Sequence, residues 1–488
     1  MATETVANCK IELQSSRSIN TCSPWVSNPH GESDTLPSIN AVEVLQKWNH
    51  PPKNVYRVGA SFWGFFLMGM NDGSYGVSIN TIRKSPALIH LPNLITTKPR
   101  KLEQYYHLSY TTISLIFLFP FAGYTFASLI NNAVHIHLGQ RGVAIIAGLC
   151  HLISYTVLSL HPPYPAVVVM FLFVGMGDGL VDAAWCAWTG NMASANQVQG
   201  FLQACYSLGG TVAPLMAAAM LAKVGLEWYY FYYIMVRLSI QHRREVTGNL
   251  PADARQTAVA ATELITSTWA FWAQTGHVYA LENPRDANAK TGRLREALSN
   301  KLTWIFAAFI FGYLGAEGGW IVTFMTQVRS GTTFSSSLTS TGFWAGMTVG
   351  RMCLAFLTAW LGEFTSVLVY LGICIALELL FWLVPSFYVS AVAIASLGMF
   401  LGPLAPTAIV LVTKLMPKEL HVSSIGFATA FGGSGGALFP FIVGALAQAK
   451  GVSSLQPVVL ALLMAISGLW MLVPRRGRRN EEMGRESV

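Results

Sequence analysis

The sequence predicts an all-α membrane protein with twelve transmembrane helices arranged in two six-helix halves. Composition, long apolar runs and an internal repeat each predict it. Of the 488 residues, 53% are hydrophobic and 11% are charged, whereas a soluble protein carries about 25% charged residues. So few charges cannot cover a normal surface facing water, and we expect most of the outer surface to contact lipid.

Eleven runs of the chain are long and apolar enough to cross a bilayer, which takes about 20 mostly apolar residues. In the first half these spans lie near 58–79, 108–134, 143–160, 164–190 and 196–225. In the second half they lie near 303–328, 337–361, 364–384, 386–416, 423–449 and 455–474. A twelfth span, sixth in order, is interrupted: residues 229–236 and 258–272 together make 23 residues, the length of one span.

The two halves of the chain repeat one another. Gly175 matches Gly398 at an offset of 223 residues, and Gly209 matches Gly435 at an offset of 226. Other pairs at the offset of 223 are Gly123 with Gly346, Gly139 with Gly362, and Gly179 with Gly402. Glycine recurs where membrane helices approach so closely that a side chain would not fit. The nearly constant offset indicates two halves with the same order and packing of helices.

Five regions follow from the spans and the charged residues. They are a polar N-terminal tail (1–56), a first bundle (57–272), a linker (273–302), a second bundle (303–474) and a basic C-terminal tail (475–488). The linker and the C-terminal tail are rich in Arg and Lys, and by the positive-inside rule we expect both termini to be cytoplasmic. The N-terminal tail has no apolar run, so we expect it to be disordered and to carry no signal peptide.

Two polar, basic segments, 80–100 and 237–257, interrupt the first bundle and account for its excess length over the second. An Arg or Lys at a helix centre costs about 2.5–3.5 kcal/mol, so neither segment would insert in a bilayer. We interpret both as translated intron sequence in a eukaryotic gene. The alternative is a genuine loop specific to this lineage.

Ionisable residues inside the spans are candidate functional residues, because burying them in a bilayer is costly. Asp178 and Asp182 lie four residues apart on one face of the fourth span, and Trp185 follows them. These residues are candidates for proton binding and for the wall of a substrate cavity, or else for packing against a cation. We interpret His151 in the third span and Glu263 in the sixth as packing residues.

The seventh span carries a second group of candidates. Tyr313, Glu317 and Trp320 form one stripe at helical spacing, which is typical either of a ligand-binding face or of a packed core. Glu317 lies 245 residues after Asp72, close to the repeat offset plus one interrupting segment, so the two acids are possible repeat equivalents. Arg351, in the eighth span, is a candidate counter-charge for a carboxylate.

Three motifs resemble a fungal branch of the major facilitator superfamily, over nearly all of residues 58–474. They are Asn71-Asp72 in the first span, Gly179–Trp185 in the fourth and Tyr313–Glu317 in the seventh. This branch is distantly similar to the fucose permease group of proton-coupled sugar transporters. The resemblance implies the major facilitator fold, in which the first, fourth, seventh and tenth helices of the twelve line a central cavity.

The resemblance also implies roles for particular residues. In the sugar permeases an acid in the first helix and one in the fourth bind the proton and the substrate, and Asp72 and Asp182 match those positions. Asn71 is then a candidate cavity residue, and we expect Asp72 and Asp182 to face one cavity at mid-membrane. The sequence departs from the branch at Cys186, where the branch usually has Asn.

A secondary transporter is the function that these features favour. We expect a proton-coupled carrier of a small molecule, either sugar-like or a secondary metabolite, working by alternating access. The chain has no Walker loop to bind ATP. The alternative is a nutrient sensor that uses the same fold without transporting. We expect a monomer in the lipid bilayer of the plasma membrane, with a small molecule and protons as its partners.

Other classes of function are disfavoured. The G-x-S-x-G pattern around Ser434 lies inside an apolar span, whereas a nucleophile elbow needs a turn from strand to helix, so we expect no enzymatic activity. The seven cysteines lack metal or redox spacing, and we expect no cofactor or metal. The net charge of +8 fits basic cytoplasmic loops, so we expect no nucleic-acid partner.

Overall fold

The computed structural model describes residues 45–80, 115–219, 229, 231–232, 235, 258–283, 292–317 and 321–474. Its helices before the linker are α1 (Lys53–Asn80), α2 (Leu115–Ser159), α3 (Tyr164–Gly190), α4 (Ala195–Ala219) and α5 (Ala258–Ala270). In the linker are α6 (Gly276–Glu282) and α7 (Arg293–Ser299). The remaining helices are α8 (Lys301–Ala316), α9 (Ile321–Gln327), α10 (Thr333–Leu361), α11 (Glu363–Leu383), α12 (Phe387–Leu401), α13 (Leu404–Leu415), α14 (His421–Lys450) and α15 (Leu455–Met471).

Most of the described chain is helical, and seven helical segments within it are long and apolar enough to cross a membrane. They lie at 118–159, 164–190, 301–327, 335–361, 363–383, 387–415 and 452–471. The prediction of an all-α membrane protein is confirmed. The count of twelve spans and the boundaries of the five regions stay predictions.

Several sequence predictions fall outside the described residues. They are the interrupting segments 81–100 and 237–257, the tail residues 1–44 and 475–488, and Trp320. The described chain stops at Asn80 before the first of these segments and resumes at Ala258 after the second.

A glycine divides α2 into the second and third predicted spans. Gly139 has a φ of 71° and a ψ of −168°, which is not helical and is poorly tolerated by residues with a side chain. A Cβ at Gly139 would also lie 2.3 Å from the carbonyl oxygen of Gln274. In the second half Gly362, 223 residues further on, has a φ of 85° and separates α10 from α11. The same break therefore recurs at the repeat offset.

Two of the predicted spans consist of two helices each. The seventh ends as α8 at Ala316, where Glu317 takes an extended conformation with a ψ of 103°, and it resumes as α9. The tenth divides at Gly402 and Pro403 into α12 and α13. Proline has no N–H to donate to the preceding turn, which accounts for the second break.

Helix crossings are repeated between the halves with the same contacts. A Cβ at Gly175 would lie 2.1 Å from the carbonyl oxygen of Pro120, and one at Gly398 would lie 2.2 Å from that of Phe343. Pro120 and Phe343 are also 223 residues apart. Backbones this close require glycine. The packing of α2 on α3 in the first half therefore has the same register as the packing of α10 on α12 in the second.

Candidate functional site

A chain of polar contacts starts at Asp72, in the last third of α1. Its carboxylate accepts a hydrogen bond of 3.0 Å from the hydroxyl of Tyr206 in α4, and one of 3.3 Å from the side-chain amide of Asn71. The ring of Tyr206 in turn lies 6.0 Å from the guanidinium carbon of Arg351 in α10. These contacts connect the first half of the chain to the second.

Arg351 is the centre of this network, and only 2% of it is exposed. Its guanidinium donates to the carbonyl oxygens of Gly402 at 3.1 Å and of Gln203 at 2.9 Å, and to the hydroxyl of Tyr313 at 3.1 Å. It also lies 3.8 Å from a carboxylate oxygen of Glu317. A buried charge is tolerated when it is paired and hydrogen-bonded, and Arg351 is both. The structure thus brings the predicted counter-charge to Glu317.

The two acids at the ends of the network occupy equivalent positions in the two halves. A Cβ at Gly209 would lie 2.2 Å from the carbonyl oxygen of Phe66, and one at Gly435 would lie 2.1 Å from that of Phe311. Phe66 and Phe311 are 245 residues apart, which is also the separation of the two acids. Each acid therefore follows this crossing by the same number of residues, six.

Asp182, in α3, lies where the two halves meet and is 8% exposed. The thiol of Cys186 donates to its carboxylate at 3.3 Å, and the hydroxyl of Thr429 in α14 is a second hydrogen-bonding partner. Gln199 and Gln203 donate to the sulfur of Cys186, at 3.1 and 3.6 Å. Cys186 thus occupies a polar position despite replacing the usual Asn.

Tyr124 connects the acids of the first half. This residue of α2 interacts electrostatically with Asp72, Asp178 and Asp182, and its hydroxyl lies 3.6 Å from the sulfur of Met68. Asp72 and Asp182 therefore share a neighbour, while the expectation that both face one cavity stays a prediction. Tyr124, like Tyr206 and Gln203, was missed as a candidate, because a single tyrosine or glutamine in an apolar span carries no specific signal.

Trp185 and Asp178, both candidate cavity residues, contact other side chains of the first half. Trp185 is buried and stacks on Phe271, with ring centroids 4.1 Å apart and planes 11° apart. Asp178 lies 3.2 Å from Nε2 of His151, and Nδ1 of His151 lies 3.0 Å from Glu263. His151, interpreted as a packing residue, thus has a carboxylate on each side of its ring, and its role stays a prediction.

Residues 61–440 match the model of the Major Facilitator Superfamily. The chain belongs to this superfamily. It is 28% identical over 437 residues to "Bypass of stop codon protein 6" of Saccharomyces cerevisiae, covering 86% of this chain and 82% of the yeast protein.

Solved structures of other members of the superfamily have the same fold. The human organic anion transporter MFSD10 (TETRAN) aligns with a TM-score of 0.61 at 14% identity, over 86% of this chain and 100% of that one. The E. coli fucose:proton symporter FucP aligns with a TM-score of 0.58 at 13% identity, over 86% of this chain and 98% of that one. At such identities the likeness concerns the fold alone.

The two superfamily halves contact one another directly at one end of the bundle, where α3 ends and α14 begins. The side-chain amide of Asn191 donates to Nδ1 of His421 at 2.9 Å, and the hydroxyl of Thr413 donates to the carbonyl oxygen of Gly190 at 2.9 Å. Nearby, Glu363 accepts from Asn196 at 2.7 Å and from Lys414. We call these seven residues the closed end.

Ser434 lies within α14, where its hydroxyl donates to the carbonyl oxygen of Phe431 in the preceding turn. This is the ordinary bond of a serine inside a helix. Within the described residues no group of three or more His, Cys, Asp or Glu has the geometry of a metal site.

Proposed function

We propose that this protein is a secondary active transporter that moves a small molecule by alternating access and couples the movement to protons. The observation that supports it most is the network from Asp72 through Tyr206 to Arg351 and Glu317. It consists of one buried charge, Arg351, and two half-buried carboxylates, and it includes members of both halves. When one half rocks against the other, such a network must break or rearrange, so a ligand that competes for its members can bias the motion.

The substrate is proposed to be polar and small, either a sugar or a secondary metabolite. Hydroxyl groups of a sugar can replace Tyr313 and Gln203 as acceptors for Arg351, and can donate to the carboxylates of Asp72 and Glu317. The E. coli symporter FucP carries fucose together with a proton, which makes fucose the first sugar to test.

Coupling to protons is proposed to involve Asp182. Its partner Thr429 belongs to the opposite half, so this hydrogen bond is lost when α3 and α14 separate. Water stabilises an ionised carboxylate and an apolar enclosure stabilises the protonated form. A carboxyl group that alternates between the two surroundings therefore binds a proton in one state and releases it in the other.

The test uses the purified full chain in proteoliposomes with an imposed pH gradient. The vesicles receive radiolabelled L-fucose and then other monosaccharides, until one accumulates in the wild type. Asp182→Asn should abolish accumulation driven by the gradient while exchange without a gradient continues, because asparagine keeps the shape but cannot titrate. Asp182→Glu, which still titrates, is the matched control. Full accumulation by the Asn variant would reduce Asp182 to a packing residue.

The alternative is a nutrient sensor on the same fold, and the same proteoliposomes discriminate between the two. A sugar that raises the melting temperature of the protein but never crosses the membrane would favour the sensor. A sugar that does both supports the transporter.

Localisation and chain integrity are also proposals. We place the protein in the plasma membrane as a monomer with both termini cytoplasmic, so that the closed end faces the cytoplasm. Epitope tags at each terminus, stained with and without permeabilisation, test the orientation. Segments 80–100 and 237–257 are proposed to be translated introns, and a transcript that retains both in an active transporter would refute this.

A further inference from the structure

Three ionisable side chains from three helices meet inside the first half. Nδ1 of His151, in α2, lies 3.0 and 3.1 Å from the two carboxylate oxygens of Glu263 in α5. Nε2 of the same ring lies 3.2 Å from a carboxylate oxygen of Asp178 in α3. His151 and Asp178 are each 1% exposed and Glu263 is 3% exposed. We call these three residues the histidine cluster.

The geometry determines how many protons the histidine cluster holds. A neutral imidazole has one N–H, but here each ring nitrogen faces a carboxylate. Nδ1 is hydrogen-bonded to Glu263, whereas Nε2 and the Asp178 oxygen lie at ion-pair distance without hydrogen-bond geometry. We infer that His151 is an imidazolium, because only this form has an N–H on both sides of the ring. With both carboxylates ionised, the cluster then has a net charge of minus one.

A net charge in so buried a place is costly, because the surrounding medium cannot solvate it. One further proton, bound by Asp178, makes the cluster neutral. Removing the proton of His151 instead would leave two unneutralised carboxylates. The histidine cluster therefore has two accessible states that differ by one proton.

Ionisable groups of the described residues surround the cluster. Tyr124, Cys150 and Tyr155 of α2 and Asp182 of α3 interact electrostatically with one or more of its members, and Tyr155 in turn interacts with Asp72 of α1 and with Tyr232. Tyr155 stacks on the His151 ring, with centroids 5.8 Å apart. From α1, Gly64 comes near Glu263, where a Cβ would lie 3.5 Å from its carboxylate.

The cluster is adjacent to the residues proposed to carry out transport. Asp178 precedes Asp182 by one turn of α3 and interacts with it electrostatically. Tyr124 interacts with both acids and with Asp72. A proton that arrives at the cluster therefore changes the electric field at Asp182, without being bound by Asp182 itself.

We propose that His151, Asp178 and Glu263 form a binding site for one proton, separate from Asp72, Asp182 and Glu317. The proton comes from hydronium in the aqueous phase: one of its O–H bonds breaks, water leaves, and an O–H bond forms on the carboxylate of Asp178. That this proton takes part in coupling rests on the proposed function; that it binds rests on the geometry of the cluster.

The first experiment counts protons on the full chain in detergent micelles and needs no substrate. An unbuffered sample is titrated from alkaline to acidic pH, and infrared spectra follow the C=O stretch of protonated carboxyl groups. Asp178→Asn and Glu263→Gln should each bind one proton fewer than the wild type and lose one C=O band. Glu378→Gln, which alters a buried carboxyl of the second half, should leave that band unchanged.

The second experiment observes the histidine directly. Nitrogen NMR of protein labelled at histidine distinguishes an imidazolium, and His151→Gln identifies the signal of His151. We expect an imidazolium at every pH at which the protein is folded.

A neutral His151, or a wild type and an Asp178→Asn variant that bind equal numbers of protons, would overturn the proposal. If Asp178→Asn does not fold, Glu263→Gln gives the same count. A protein that transports nothing but shows the missing proton would contradict the proposed function and leave the site in place.

Discussion

The two halves of this protein share their backbone contacts but not their buried charges. At the crossings of Gly175 with α2 and of Gly398 with α10, the distance from a Cβ on the glycine to the facing carbonyl oxygen differs by about a tenth of an ångström. At the position of His151, however, the second half has Cys374, whose thiol lies 3.9 Å from the carbonyl oxygen of Leu397. At the position of Asp178 it has Leu401. The scaffold is duplicated, and the chemistry is specific to each half.

Arg351, a buried charge of the second half, has no charged equivalent in the first half. The residue of the first half equivalent to Arg351 is Ser128, whose hydroxyl donates to the carbonyl oxygen of Thr125 in its own helix. Among the described residues, His151 of the first half lies between two carboxylates and Arg351 of the second half lies beside Glu317. The partners of His151 stay within the first half, whereas Arg351 bonds to Gln203 across the interface. We infer that the first half is suited to hold a proton and the second to sense the position of the first.

The largest effect should follow from removing the charge of the second half. Arg351→Met leaves Glu317 buried without its cation, and such a loss costs about 3–5 kcal/mol of the free energy of unfolding. The double variant with Glu317→Gln removes both charges and should regain most of that loss. Thermal unfolding in detergent measures both.

The matched control is Ser128→Ala, at the equivalent place in the first half. It should lower the free energy of unfolding far less, because it leaves no charged group without a partner in an apolar surrounding. An Arg351→Met single variant as stable as the double variant would show that the ion pair with Glu317 contributes nothing. The two halves would then not differ in the way proposed.

The second effect tests whether the duplicated crossings are equally tight. Gly175→Ala and Gly398→Ala each place a methyl group about 2 Å from a backbone carbonyl oxygen. Overpacking of this kind costs about 1–3 kcal/mol, and we expect equal losses of stability from the two, within experimental error. The yield of monodisperse protein and its melting temperature report it.

Two glycines without a close neighbour serve as controls, one in each half. A Cβ at Gly59 or at Gly372 would have no atom within 4 Å, so Gly59→Ala and Gly372→Ala should be neutral or slightly stabilising. Unequal losses at Gly175 and Gly398 would mean that one half tolerates a wider helix separation than the other.

Much of the fold was predictable from the sequence, because a span of about 20 apolar residues is a local property. The breaks that divide a span into two helices were harder to predict. Residues 303–328 and 386–416 are each apolar enough to count as a single span, whether or not Glu317 or Pro403 divides the helix. The division at Gly139, by contrast, coincides with a polar turn and was expected as a boundary between spans.

Contacts between helices were the main thing that the sequence did not predict. Whether His151 meets Asp178 or lipid depends on how each helix is rotated, and rotation is decided by packing over its whole length. A signal was nevertheless available. His151, Asp178 and Glu263 lie near the middle of their spans and hence at similar depth, where an isolated charge would be costly.

A smaller effect concerns the closed end, where the halves meet. Thr413→Val removes the hydrogen bond to Gly190 and should destabilise the closed arrangement by about 1 kcal/mol, which is a roughly five-fold change in the ratio of open to closed. Spin labels on either side of the closed end measure that ratio. Thr156→Val, which breaks only a bond within α2, is the control and should leave the distribution unchanged.

The smallest effect should come from the ion pair of Lys414 with Glu363. In the first half the equivalent residues are Asn191 and Gln140, which are uncharged. Lys414 is exposed at the end of α13, and exposed pairs contribute about 0–1 kcal/mol. Lys414→Met should therefore change the ratio of open to closed less than Thr413→Val does. Because Glu363 also accepts from Asn196 in the first half, part of its contact across the interface remains.

The effect of Lys414→Met should vanish in about 1 M salt, where charges are screened within about 3 Å. An effect larger than that of Thr413→Val, or one that salt does not reduce, would mean that the pair is shielded from water. The ion pair of the second half would then contribute most to the stability of the closed end.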